Sequence, residues 1–91
     1  MLQVSEQAVK KLHCPCGPTF YRIRLQDGQL HAGKKRELNP GDTIIQPLDD
    51  VQIVMDKETA EYLNDYVLDV LNEYELVLIN IDGTVIVPQS L

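Results

Sequence analysis

Ninety-one residues, 44% of them apolar, suffice for one modest hydrophobic core and are too few for two, and an apolar share of this size argues against disorder. The net charge of −6 argues against a nucleic-acid partner, and no run approaches the roughly 18 apolar residues of a bilayer span. The charge is unevenly spread: residues 1–48 carry seven Lys/Arg and four Asp/Glu, whereas residues 49–91 carry one Lys and ten Asp/Glu. The opening MLQVSEQAVKK has no charged-then-apolar layout and no small-residue cleavage site, so the expected location is the cytoplasm.

In chain order, Leu2-Gln3-Val4 reads as a short strand and Ser5 as the N-cap of a helix over Glu6 to Leu12. Ala8, Val9 and Leu12 form the inward stripe of that helix. Glu6 in its first turn and Lys10-Lys11 in its last complement the helix dipole. Pro15 and Gly17-Pro18 make His13 to Pro18 a tight, irregular connection. Phe20 to Leu25 alternates, placing Tyr21, Ile23 and Leu25 on one face and Phe20, Arg22 and Arg24 on the other. Asp27-Gly28 supplies the positive-φ pair of a two-residue hairpin, with Gln29 to Ala32 returning. Lys34-Lys35-Arg36 beside Glu37 reads as a solvated basic loop, or as a patch for an acidic partner. Asn39-Pro40-Gly41-Asp42 is a turn, and Thr43 to Ile45 a short strand.

The centre of the sequence is Val51 to Leu71. Val51 to Met55 is apolar and largely β-branched, which predicts a buried strand. Asp56 stops it and offers a carboxylate to the first free amides of a helix. That helix is expected to bury Ala60, Leu63 and Val67, with Tyr62 and Tyr66 covering its flank or forming a dimer patch. Strand character resumes over Val67 to Leu71. Tyr74 to Ile79, a turn at Asp82-Gly83, and Thr84 to Val87 close the chain, with Pro88 ending the last strand or lying on an edge. The expected fold over residues 1–91 is α+β: about seven compact, mostly antiparallel strands and two short helices.

Chemistry is sparse. The only cysteines, Cys14 and Cys16, lie beside His13 in a His-Cys-Pro-Cys loop. Thiolates and imidazole suit zinc, copper(I) or an iron–sulfur centre, and His31 is the only further histidine to complete such a set. Structural zinc sites favour two to four residues between paired cysteines, so one residue is a poor spacing. A Cys14–Cys16 disulfide would close a very small ring, and two free thiols are the expected state. There is no glycine-rich phosphate loop, no Gly-x-Ser-x-Gly and no His-Glu-x-x-His, so nothing supports an enzyme.

Several segments together resemble the HesB-like family, the A-type iron–sulfur carriers. These are the opening LQVSEQAVKKL, the strand Thr19-Phe20-Tyr21-Arg22-Ile23-Arg24-Leu25, and Val51-Gln52-Ile53-Val54-Met55-Asp56 followed by a helix and Val67-Leu68-Asp69. Leu76 to Ile79 through Asp82-Gly83 to Pro88-Gln89-Ser90-Leu91 is similar to the family's closing hairpin. The resemblance implies a HesB-like fold, self-association and a link to iron–sulfur cluster biosynthesis. The family's ligands are one cysteine in the hairpin after the first core strand and a Cys-Gly-Cys near the C-terminus. Here the hairpin reads Asp27-Gly28-Gln29-Leu30-His31, and the last 75 residues contain no cysteine. The expectation is therefore a non-catalytic, divergent protein, accessory to iron–sulfur assembly and bound to its protein components, without the usual cluster ligands. The alternatives are a metal- or thiol-handling protein using His13, Cys14 and Cys16, and a pure protein-interaction module.

Overall fold

The chain builds nine strands and two helices, in a computed structural model that describes all residues from Met1 to Leu91. In order they are β1 (Gln3–Val4), α1 (Glu6–Leu12), β2 (Thr19–Gln26), β3 (Gln29–Lys34), β4 (Thr43–Leu48), β5 (Val51–Met55), α2 (Lys57–Tyr62), β6 (Tyr66–Leu71), β7 (Glu75–Asn80), β8 (Val85–Ile86) and β9 (Gln89–Ser90). Two sheets result, ordered β4-β5-β2-β3-β9 and β1-β6-β7-β8. Four pairings are antiparallel and three are parallel, so the α+β, mostly antiparallel expectation holds. No helix is long and apolar enough to cross a membrane.

The core follows the sequence pattern. Tyr21 and Ile23 of β2 and Val51, Ile53 and Met55 of β5 join Leu68, Leu78, Leu2, Ala8 and Leu12 in one buried cluster. Burial pushes the Tyr21 phenol up to about 12, because the phenolate would lose its hydration there. Ser5 caps α1 as expected, accepting the Ala8 amide at 3.1 Å, and its hydroxyl donates to Asp69 Oδ1 at 2.7 Å. The N-terminal helix is thereby fastened to β6. Asp27 (φ 53°) and Gly28 (φ 76°) form the β2–β3 hairpin turn.

Three details extend or correct the sequence reading. First, the strand–helix–strand unit, whose sheet membership the sequence leaves open, is divided: β5 belongs to the five-stranded sheet and β6 to the other, so α2 is a corner between them. The helix ends earlier than its apolar spacing suggests, and Tyr66 and Val67 already belong to β6. Leu63, now the residue that ends the helix, is buried as expected; Ala60 and Val67 are only half-buried, and Thr59 is the residue buried within the helix. Tyr62 and Tyr66 still stack, 5.8 Å apart and inclined by 20°, but across the helix–strand junction. Second, the chain pairs again after Pro88: β8 ends at Ile86 beside β7, Val87 and Pro88 carry the chain across, and β9 pairs with β3 at the edge of the other sheet. Third, the face of β2 opposite the core is not open to solvent. The segment 35–42 folds over it, and Arg22 is buried there in an ion pair with Asp42 at 2.8 Å.

Two consequences are measurable. β5 pairs with β2 only as far as Ile23, so the Leu25 amide has no strand partner on that side; Thr59 Oγ1 accepts it at 2.9 Å. Thr59→Val keeps the volume but orphans that amide, and urea unfolding should report a loss of about 1–3 kcal/mol. The second concerns Asp42, whose carboxyl is held below its ordinary value by the Arg22 guanidinium and by the Asn39 amide. A depressed carboxylate value stabilises the fold fully above the unfolded value of about 4, and that contribution disappears as pH falls through the lower folded value. Asp42→Ala, which leaves Arg22 buried and uncompensated, should cost about 3–5 kcal/mol at neutral pH and flatten this acid dependence.

Candidate functional site

The His13 to Pro18 loop is set by its turn residues. Cys14 accepts the Gly17 amide at 3.3 Å, so residues 14–17 form one turn with Pro15 at its second position and Gly17 at φ 144°. That turn brings the Cα atoms of Cys14 and Cys16 to 5.2 Å, inside the disulfide range, and the two sulfurs are bonded. The expectation of two free thiols is corrected accordingly: the ring is small, but Pro15 pre-sets the reversal that closes it. His13 turns away and pairs through Nδ1 with Asp50 Oδ2 at 3.0 Å, while the Asp50 carbonyl accepts the Thr19 amide at 2.7 Å.

A shallow cavity of about 300 Å³ adjoins the disulfide, lined by Cys14, Cys16, Phe20, Lys34, Lys35 and Arg36 among others. Its cations are held differently. Arg36 lies 5.1 Å over the Phe20 ring, Lys35 pairs with Glu37 at 3.2 Å, and Lys34 is exposed with no acidic partner. The sequence shows both the basic run and the cysteine loop, but nothing in their spacing announces that the β2–β3 hairpin returns the run to the loop.

The metal-ligand set of His13, Cys14, Cys16 and His31 is divided between elements. His31 lies on β3 opposite Arg24 and Gln89, and no three His, Cys, Asp or Glu side chains are grouped as a metal site. While bonded to each other, Cys14 and Cys16 offer no thiolate to a metal, so any zinc or iron–sulfur chemistry there begins with their reduction. The acidic residues have structural partners: Asp56 accepts the Thr59 amide as helix cap, Asp69 holds Ser5, and Asp42 holds Arg22.

A second candidate region lies at the hairpin turn. β9 runs parallel to β3 with His31 opposite Gln89 and Ala32 opposite Ser90, and the Leu91 amide donates to the Ala32 carbonyl at 3.2 Å. Gln89 Nε2 donates to Gln29 Oε1 at 2.8 Å. A cavity of about 240 Å³ opens here between Gln29 and Leu30 of the hairpin, Tyr62 of α2, and Ile86, Val87 and Gln89 of the closing segment. Ala32 points into the core, so His31, Gln29 and Gln89 share the outward face. The sequence shows hairpin and tail as separate ends; only the β3–β9 pairing brings them together.

The disulfide closes a three-residue segment, for which the loop-entropy relation gives only about 1–2 kcal/mol of stabilisation. The Cys14→Ser/Cys16→Ser variant should therefore fold with an unchanged circular-dichroism spectrum and a midpoint shift no larger than this predicts. No known family model, no curated protein and no solved structure matches the chain.

Proposed function

We propose that this chain is a HesB-like domain that has exchanged cluster ligation for binding: a non-catalytic accessory or interaction protein of iron–sulfur assembly. The observation that carries the reading is the β3–β9 pairing. The two segments in which the family keeps its cysteines, the first hairpin and the C-terminal tail, lie side by side here. Gln29 touches Gln89, with Leu91 two residues further on. Gln29 and Gln89 meet while Leu91 lies further along β3, over Gly33, and the side chains are amides and an aliphatic group in place of the thiolates that suit an iron–sulfur centre. The Asp56 cap and the Ser5–Asp69 bond support the same reading, since the Met55-Asp56 and Leu68-Asp69 segments that carry the resemblance have structural work in this fold.

Restoring the ligands tests it. In a Cys14→Ser/Cys16→Ser background, Gln29→Cys/Gln89→Cys/Leu91→Cys should take up iron and sulfide on anaerobic reconstitution, with a visible charge-transfer band. The parent and a control with cysteines at Gln46, Glu61 and Glu75, exposed positions elsewhere, should stay colourless. A triple variant indistinguishable from that control would sink the proposal. A parent that loads iron and sulfide would sink the ligand-loss half of it.

A further inference from the structure

We infer that the Cys14–Cys16 disulfide is a thiol–disulfide exchange site for small thiols bearing carboxylates, with Lys34, Lys35 and Arg36 as its anion-selecting wall. This site is separate from the iron–sulfur reading and does not depend on it. Three observations converge. The bond spans one intervening residue, so it constrains little of the unfolded chain and is poorly placed as a structural staple. Cys16 is exposed while Cys14 is half-buried, so an incoming thiol reaches the Cys16 sulfur first. The adjoining cavity, about 300 Å³, matches a small ligand, and its wall is cationic in a protein whose net charge is −6.

The chemistry balances without a metal or cofactor. A thiolate of the small molecule attacks Cys16 Sγ; a mixed disulfide forms, the Sγ–Sγ bond breaks, and Cys14 leaves as thiolate. The Cys16 backbone N–H already donates to Cys14 Sγ at 3.4 Å, and the nearby cations favour the developing negative charge. A second small thiolate attacks the small-molecule sulfur of the mixed disulfide, releasing the oxidised small disulfide and the Cys16 thiolate. Two electrons pass from the two thiolates to the protein, and solvent supplies two protons to its thiols. Lys34 and Lys35 bind the carboxylates and touch neither breaking bond.

The test mixes oxidised full-length protein with glutathione, which is anionic, or with cysteamine, which is cationic, at matched thiolate concentration, and follows protein thiols by intact mass. Glutathione should react about tenfold faster than cysteamine. Lys34→Glu/Lys35→Glu should abolish or invert that preference; if it fails to fold, Lys34→Gln/Lys35→Gln should reduce it. Cys14→Ser should accumulate a mixed disulfide on Cys16 when offered oxidised glutathione, and Cys16→Ser should do so about tenfold more slowly. Equal rates for the two thiols, a preference indifferent to the lysines, or unfolding of the protein on reduction would each overturn the assignment.

Discussion

The parallel ladder between β2 and β5 is the constraint on which the rest of the structure depends. It joins Thr19–Ile23 to Val51–Met55, segments about thirty residues apart, and it forms the middle of the five-stranded sheet. A parallel pair cannot be closed by a tight turn, so everything between the strands must return the chain to the starting end. Here that return is made by β3, the 35–42 segment and β4, which together carry the hairpin, the basic run and the buried Asp42. Ile23, Ile53 and Met55 are fully buried on the core side of this ladder. On its other side Arg22 lies between Gly33 and Val54, and the space left by the missing Gly33 side chain is taken by Leu91.

Burying Arg22 is expensive unless its charge and donors are matched. The 35–42 segment supplies the match: one nitrogen reaches both Asp42 and the Glu37 carbonyl, at 2.8 and 3.2 Å. Asp42 in turn accepts the Asn39 amide, closing the Asn39–Asp42 turn on itself. The buried Arg22 Nε finds no partner among the protein atoms. The pair thus acts less as net stabilisation than as a fixed register for the returning segment. Aligning that segment also places Lys35 and Arg36 beside Phe20 and the cysteine loop.

Most of the local structure was legible in the sequence because its signals are local. Ser5, Asp56, Asp27-Gly28 and Pro40-Gly41 each determine a cap or a turn by chemistry within four residues. What was not legible depends on partners far along the chain. Arg22 reads as the outward residue of an alternating strand until Asp42, twenty positions on, comes to cover it. Thr59 reads as a neutral helix residue until the orphaned amide of Leu25 meets it. Val67 keeps a four-residue spacing from Leu63 that a helix would use, but the chain leaves the helix at Leu63 and enters the other sheet. The cysteine loop failed differently: ring size argued against a disulfide, whereas the Pro15 turn had already supplied the geometry.

The two candidate regions lie at opposite ends of one strand, and this decides what the cysteines can replace. β3 starts beside the Gln29–Gln89 contact and finishes at Lys34, which lines the disulfide cavity. From His31 to Lys34 the strand rises roughly 10 Å at about 3.4 Å per residue. Metal–sulfur bonds are about 2.3 Å, so thiols at the Lys34 end cannot complete a cluster at the hairpin turn of the same chain. Cys14 and Cys16 are therefore placed apart from any site at the hairpin turn. Hairpin and tail meet at one end of β3 without a thiol, and the only cysteines lie beside cations at the other end. Any partner recognised at one end leaves the disulfide at the other accessible to small molecules.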